Sequence, residues 1–350
     1  MSSNIIENFV IPMAKVVVVT IYPMLMVVVM IWLERRAIGV LQERWGPNRV
    51  GWFGVLQPIA DAVKLFFKED IIQEQSDKFL FNVSPVLVLA SSLLAFCFVP
   101  LGGILNIGSY NLTFWVADSP IALLLTLGIS SLAVFGIIFA GWSSNSKYPL
   151  IGGLRSVVQL LSYEIPIGLT VLTVVFVSQS MSFVDIVNKQ NELGIWYAFL
   201  LPVSAVVFWI SNIAETNRCP FDLPEAESEL VAGFHTEYSG LKFGYFYMAE
   251  YAHMVLASSL MVNLFFGGWL PLFPSIFKAI LPAALFKLYM WIPGFFWYFA
   301  KTMFFLYFYV WVRGTFPRYR FDELIKLAWK WLIPLSVINL VVVAFIRFLL

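Results

Sequence analysis

Long apolar runs separated by compact polar loops dominate this chain. Eight runs are long enough to cross about 30 Å of hydrocarbon as helices rising about 1.5 Å per residue. They are roughly 13–33, 84–105, 119–142, 154–177, 196–214, 244–266, 293–313 and 329–349. The segment 267–292 is apolar too, but Pro271, Pro274 and Pro282 break it, which leaves a ninth span or a re-entrant piece open. The first run reads as a retained helix and not a cleaved leader. No basic segment precedes it, it is longer than a leader's apolar stretch, and Glu34-Arg35-Arg36 stops it. No internal repeat is evident.

The polar loops fall unequally on the two sides. Loops 34–83, 143–155, 214–243 and 313–330 hold sixteen of the 22 Lys and Arg residues. That bias places them in the cytoplasm and both termini outside. Within the first loop, Leu56, Ile59, Ala60, Val63 and Phe67 recur at helical spacing over 56–69, with Gln57, Asp61, Lys64 and Lys68 on the opposite stripe. Such a helix lies along the membrane surface or against a partner. The expected fold is therefore an all-α integral membrane protein. A single polytopic domain over 1–350 carries about eight transmembrane helices plus a cytoplasmic amphipathic surface helix.

Composition removes the soluble alternative. Of 350 residues, 60% are hydrophobic and 12% charged, against about 45–50% and about 25% in soluble domains. The net charge of +1 gives no reason to expect a nucleic-acid partner. Cys97 and Cys219 are the only cysteines, too few for an iron–sulfur cluster, which normally takes four thiolates. His235 and His253 are the only histidines. Any electron carriers used with this chain lie in partner chains.

Acidic residues inside the spans are the sharpest chemical signal. Glu164 sits near the middle of 154–177, Glu250 lies seven residues into 244–266, and Glu215 closes the fifth span. An ionised carboxylate at the bilayer centre costs at least about 2.5–3.5 kcal/mol, so acids there are rarely packing residues. The three either relay protons or make hydrogen-bonded or ion-paired helix contacts. Loop 214–243 adds Asp222, Glu225, Glu227, Glu229 and Glu237, against Arg218 and Lys242. It is either a solvated face or a continuation of Glu215. Glu250 and His253 have the Glu-x-x-His spacing of di-iron bundles, but a second such pair is missing, so no metal site is expected. His253 reads as a satisfied interior histidine. Lys301, within the seventh span, reads as snorkelling or as paired with a carboxylate.

The loops themselves are distinctive. The blocks Leu33 to Arg36, Gln42 to Gly51, Leu56 to Leu65, Gly141 to Tyr148, Ser162 to Glu164, Ala214 to Glu227, His235 to Tyr238, Ala249 to Tyr251 and Arg313 to Arg320 run in order. Together they resemble the NADH dehydrogenase subunit 1 family of respiratory complex I, the H-type membrane subunits of NADH-quinone oxidoreductase. The resemblance implies a membrane component of a proton-translocating NADH-quinone oxidoreductase, with no complete active site in this chain alone. It implies that Glu34, Arg35, Asp61, Lys64, Glu215, Arg218 and Glu227 line a quinone chamber. It further implies a proton path through Glu164, Glu215, Asp222, Glu225, Glu227, Glu229 and Glu250.

Quinone is then the substrate, and FMN and iron–sulfur clusters lie in partner subunits. The implied partners are hydrophilic-arm subunits on the cytoplasmic face, antiporter-like membrane subunits to the side, and lipid. The implied location is the bacterial inner membrane, or the mitochondrial inner membrane if the chain is organellar. Some members carry an extra acid within the third span, whereas 119–142 has none and Asp118 sits at its outer edge. Two other readings compete: the anchor component of a related membrane-bound hydrogenase or other non-NADH dehydrogenase, and a stand-alone ion transporter.

Overall fold

The computed structural model describes residues 11–107, 110–223, 231–272, 282, 289 and 291–349. Apolar sequence becomes helix almost throughout, because a backbone in hydrocarbon must satisfy its own polar groups. The helices are α1 (Ile11–Leu41), α2 (Gln57–Phe67), α3 (Lys78–Ala95), α4 (Ala122–Ser130), α5 (Ala133–Ser143), α6 (Lys147–Ser178) and α7 (Phe183–Leu193). They continue with α8 (Tyr197–Leu200), α9 (Pro202–Glu215), α10 (Gly240–Phe265), α11 (Gly294–Thr315), α12 (Phe321–Lys326) and α13 (Ile333–Leu349). A small antiparallel hairpin, β1 (Ile104–Ile107) with β2 (Tyr110–Thr113), pairs Ile104 with Thr113 and Ile107 with Tyr110. Among the described residues, six helices are long and apolar enough to cross a membrane: α1, α3, the α4–α5 pair, α6, α11 and the 321–349 stretch.

Several helix boundaries differ from the predicted spans, each for a local reason. α1 does not stop at Glu34-Arg35-Arg36 but runs on to Leu41. Glu and Arg are good helix formers, and Glu34 finds partners inside the bundle. The predicted 119–142 span is broken at Ser131–Leu132. There Ser130 and Ser131 turn their hydroxyls back onto the carbonyls of Leu127 (2.8 Å) and Gly128 (3.0 Å), a contact that bends helices. α6 begins at Lys147, so most of the predicted 143–155 loop is helix. The predicted 196–214 span divides at Leu201, and Pro202 opens α9, where its missing N–H costs nothing. α3 starts cleanly because the Asp77 carboxylate accepts from the amides of Phe79 (3.0 Å) and Leu80 (3.3 Å). The 267–292 question lies mostly outside the described residues.

α6 is the spine, packed against α5, α9 and α13, while α10 packs against α1, α3 and α11. The approach of α6 to the following layers is very close. A Cβ on Gly152 would stand 2.8 Å from the Gly233 Cα. Lys301 neither snorkels nor meets a carboxylate. Its Nζ donates to the carbonyls of Phe266 (2.7 Å), Gly268 (3.0 Å) and Leu270 (2.7 Å), over the Trp196 ring at 5.0 Å. Those carbonyls follow the C-terminus of α10, where helix geometry leaves acceptors unpaired and the helix dipole is negative.

Gly152→Val is expected to lower the stability of the detergent-solubilised chain by about 1–3 kcal/mol, since backbone meets backbone and neither can step aside. Gly168 lies on the same helix with open space at its Cβ position. Gly168→Ala is therefore expected to be neutral or to stabilise by up to about 1 kcal/mol. Thermal unfolding of the two variants side by side checks the contrast.

Candidate functional site

Four charged side chains from α1, α10, α11 and the loop after α9 meet in one cluster. Glu34 of α1 is only 4% exposed. It accepts hydrogen bonds from the Tyr251 hydroxyl of α10 and from Arg313 Nη1 of α11. Arg218, in the loop after α9, places Nη1 4.0 Å from Glu34 Oε1 and Nη2 3.5 Å from Glu250 Oε2. Its guanidinium lies over the Tyr251 ring at 4.1 Å and the Tyr247 ring at 5.4 Å. Two carboxylates thus face two guanidinium groups, and buried charge is tolerable when paired in this way.

The loop that presents Arg218 is held from α6. Gln159, fully buried, donates from Nε2 to the Ala214 carbonyl (2.7 Å) and to the Phe221 carbonyl (2.9 Å), clamping the turn from both ends. Asn217 adopts positive φ, which asparagine tolerates, and donates to the Ser156 hydroxyl at 3.2 Å. Beyond it, Asp222 pairs with Arg318 at 3.1 Å, and Phe221 stacks on Tyr319 with centroids 5.5 Å apart.

The cluster opens into a cavity of about 500 Å³ lined by Glu34, Arg35, Arg44, Trp45, Tyr247, Tyr251 and Arg313, among others. That is the size of a small-molecule site. At its rim Arg35 pairs with Asp61 of α2, which also accepts from Gln57 at 2.9 Å. Burial alone would raise the Asp61 carboxyl, but the Arg35 and Gln57 hydrogen bonds outweigh it and hold the group below its ordinary 3.8. Asp61 therefore stays ionised at neutral pH, and the pair weakens only as pH falls through that lowered value. Lys64, one turn on, is exposed.

On the other side of Glu250 lies a smaller cavity of about 40 Å³. Glu164 of α6, Glu215 of α9, and Glu250 and His253 of α10 line it, with Ser130 and Ser131 at the α4–α5 break. A second, of about 20 Å³, is lined by Ser130, Asn212, Glu215, Thr216 and His253, among others. Room for about two or three waters in the larger one is enough to connect carboxyls that do not touch. Among the described residues, no three His, Cys, Asp or Glu side chains are arranged to hold a metal ion.

The structure thus gathers Glu164, Glu215 and Glu250 at one cavity, and Glu34 and Arg35 at the other. Arg218 stands between Glu34 and Glu250. It does not bring Asp222 to either cavity, since Asp222 pairs outward with Arg318. Glu225, Glu227 and Glu229 lie outside the described residues. Gln159, Tyr251, His253 and Arg313 belong to the site as well, although sequence reasoning did not place them there. Gln159 carried a usable signal, a lone amide in an apolar run, and Arg313 ends a span on the same side as Glu34.

Arg218→Met removes the cation that both Glu34 and Glu250 face. Breaking a buried pair costs about 3–5 kcal/mol, so a marked drop in the thermal midpoint is expected. Adding Glu250→Gln to Arg218→Met is expected to recover part of the loss. A double variant no more stable than the single one would show that the two groups are not coupled.

Residues 14–344 match the sequence model of the NADH dehydrogenase family. The chain is 44% identical over 343 residues to an H-type NADH-quinone oxidoreductase subunit of Geobacter metallireducens, covering 95% of this chain and 94% of that one. It is 43% identical over 340 residues to the corresponding protein of Geobacter sulfurreducens, covering 94% and 92%. To that of Rickettsia typhi it is 44% identical over 335 residues, covering 95% and 93%. On matches that run nearly its whole length, the chain belongs to the NADH dehydrogenase family, among the H-type subunits of NADH-quinone oxidoreductase.

Proposed function

We propose that this chain forms much of the quinone chamber of a proton-translocating NADH-quinone oxidoreductase and passes the effect of quinone reduction into the membrane. The observation that carries this is the double role of Glu250. It pairs with Arg218, which also faces Glu34 in the wall of the large cavity, and it lines the cavity shared by Glu164 and Glu215. Quinone takes up two electrons and two protons. The electrons come from iron–sulfur clusters fed by FMN, both in partner subunits of the hydrophilic arm. The chain supplies the polar walls, with Glu34, Arg35, Asp61, Lys64, Glu215, Arg218 and Glu227 in or beside the chamber.

The coupling is electrostatic. Two unit charges about 4 Å apart interact by about 4 kcal/mol at an effective dielectric constant of about 20. Charge appearing near Glu34 and Arg313 changes how strongly Arg218 is held there, and hence what remains to hold the Glu250 charge. Glu250, Glu215 and Glu164 then exchange protons through the small cavity and hand the change to antiporter-like subunits alongside. Glu225, Glu227 and Glu229 are proposed to extend the acidic path into the loop, whereas Asp222 is held by Arg318 away from both cavities. The eight-span arrangement follows from adding α9 and α10 to the six long apolar helices. Both termini then lie outside a bacterial inner membrane and the basic loops face the hydrophilic arm.

Glu215→Gln keeps the size and removes the charge and the exchangeable acid proton. It is expected to cut inhibitor-sensitive, NADH-driven reduction of a short-chain quinone by the assembled complex about tenfold or more, the scale of losing one proton-transfer group. Glu34→Gln is expected to lower the same activity. Turnover near the parent level in both would overturn the reading.

A further inference from the structure

His253 is not the satisfied interior histidine that its sequence position suggested. Its Nε2 is buried and has no hydrogen-bond partner among the described residues. The same side chain lines both small cavities. Buried polar atoms are seldom left unpaired, and one that is calls for a bound water or a functional role.

Four residues are common to both cavities: Ser130, Glu215, Thr216 and His253. The Ser130 hydroxyl donates to the Leu127 carbonyl at 2.8 Å, and the Thr216 hydroxyl to the Ile213 carbonyl at 3.0 Å. Their protons are committed to their own backbone. Glu215 and His253 are the two that can change protonation state. His253 follows Glu250 by three residues on α10, so the two side chains share a face. Beyond it the smaller cavity runs along the α9–α10 seam past Asn212, Ala257 and Leu260.

We propose that His253 is a proton-relay residue joining the carboxylate cavity to the α9–α10 seam. The inference rests on the reading of Glu164, Glu215 and Glu250 as a proton path. With Nδ1 carrying the ring hydrogen, Nε2 accepts a proton from the carboxylic acid of Glu215 through water. The acid O–H bond breaks, an N–H bond forms, and an imidazolium–carboxylate pair replaces two neutral groups. No electrons move. The reverse step restores both groups when the charge near Arg218 changes. The ionisable groups around the imidazole are Glu164 from α6, Glu215 from α9 and Glu250 from its own helix, with Arg218 behind Glu250. Among the described lining residues, α3 and the α4–α5 pair bring apolar side chains and the Ser130 and Ser131 hydroxyls, and no ionisable group.

The test uses the intact complex in proteoliposomes with His253→Asn, His253→Gln and, as reference, Glu215→Gln. Asn and Gln keep a polar side chain but cannot hold an imidazolium proton. Assembly is read from NADH-driven reduction of an artificial acceptor that bypasses the quinone. Coupled proton movement per quinone reduced is expected to fall about twofold or more in both histidine variants, and the pH profile of coupled turnover to lose an inflection. A parent-like ratio and pH profile in His253→Asn, with Glu215→Gln impaired, overturns the role of His253 alone. Parent-like behaviour in Glu215→Gln as well overturns the proton path beneath it. Should neither histidine variant assemble, difference infrared spectra of the parent complex on quinone reduction decide. An imidazolium band that disappears in Glu215→Gln supports the relay, and the absence of any such band overturns it.

Discussion

A charge inside this bundle needs partners aimed at it, carbonyls for Lys301 and opposite charges for Arg218, and Arg218 is where that constraint bears most heavily. Its guanidinium has a carboxylate on each side, Glu34 toward the large cavity and Glu250 toward the small one. Neither acid could stay ionised there alone without a large desolvation cost. Much of the local architecture serves to keep this one cation in place. Gln159 clamps its loop, Tyr251 lies under its face, and Arg313 takes up the remaining demand of Glu34. A cation shared by two acids is also easily biased, since a change on one side is felt on the other at contact distance.

The depth of each residue was readable from the sequence and its direction was not. Runs of apolar residues locate helices and the carboxylates within them, so Glu164, Glu215 and Glu250 stood out at once. A membrane helix that is apolar on all sides gives no phase, so which of those acids share a cavity had to come from packing. For the same reason His253 reads from sequence as a satisfied interior histidine, and Lys301 as a snorkelling cation or one paired with a carboxylate. What each meets depends on a neighbouring helix: the end of α10 for Lys301, the end of α9 for His253. The predicted spans follow apolar runs, so they miss helix ends set by a single side chain, at Asp77 and Pro202. They also stop short where polar residues continue a helix, as Glu34 to Arg36 do.

Close packing and polar function share the same helix. α6 carries Gly152 against the turn at Gly233, Gln159 into the Arg218 loop, and Glu164 into the carboxylate cavity. A helix pressed this tightly cannot rotate to re-aim one of these residues without disturbing the others. Proton exchange among the acids, as proposed, then requires no re-aiming of this helix. The break at Ser131 in the facing α4–α5 pair sets Ser130 and Ser131 in the wall of the same cavity.

The two cations of α11 stand twelve residues apart, about 18 Å along a helix. Lys301 ties the C-terminal end of α10, and Arg313 ties Glu34. Together they form a ruler that fixes the distance along the helix between those carbonyls and the buried charge cluster. A bilayer thicker or thinner than this bundle prefers cannot be met by sliding α10 along α11. The mismatch falls instead on the final helix, which packs on α6 along one side but whose most apolar window is only 11% buried, leaving it the most surface to adjust. Membrane thickness is thereby kept from resetting the depth of the charged groups.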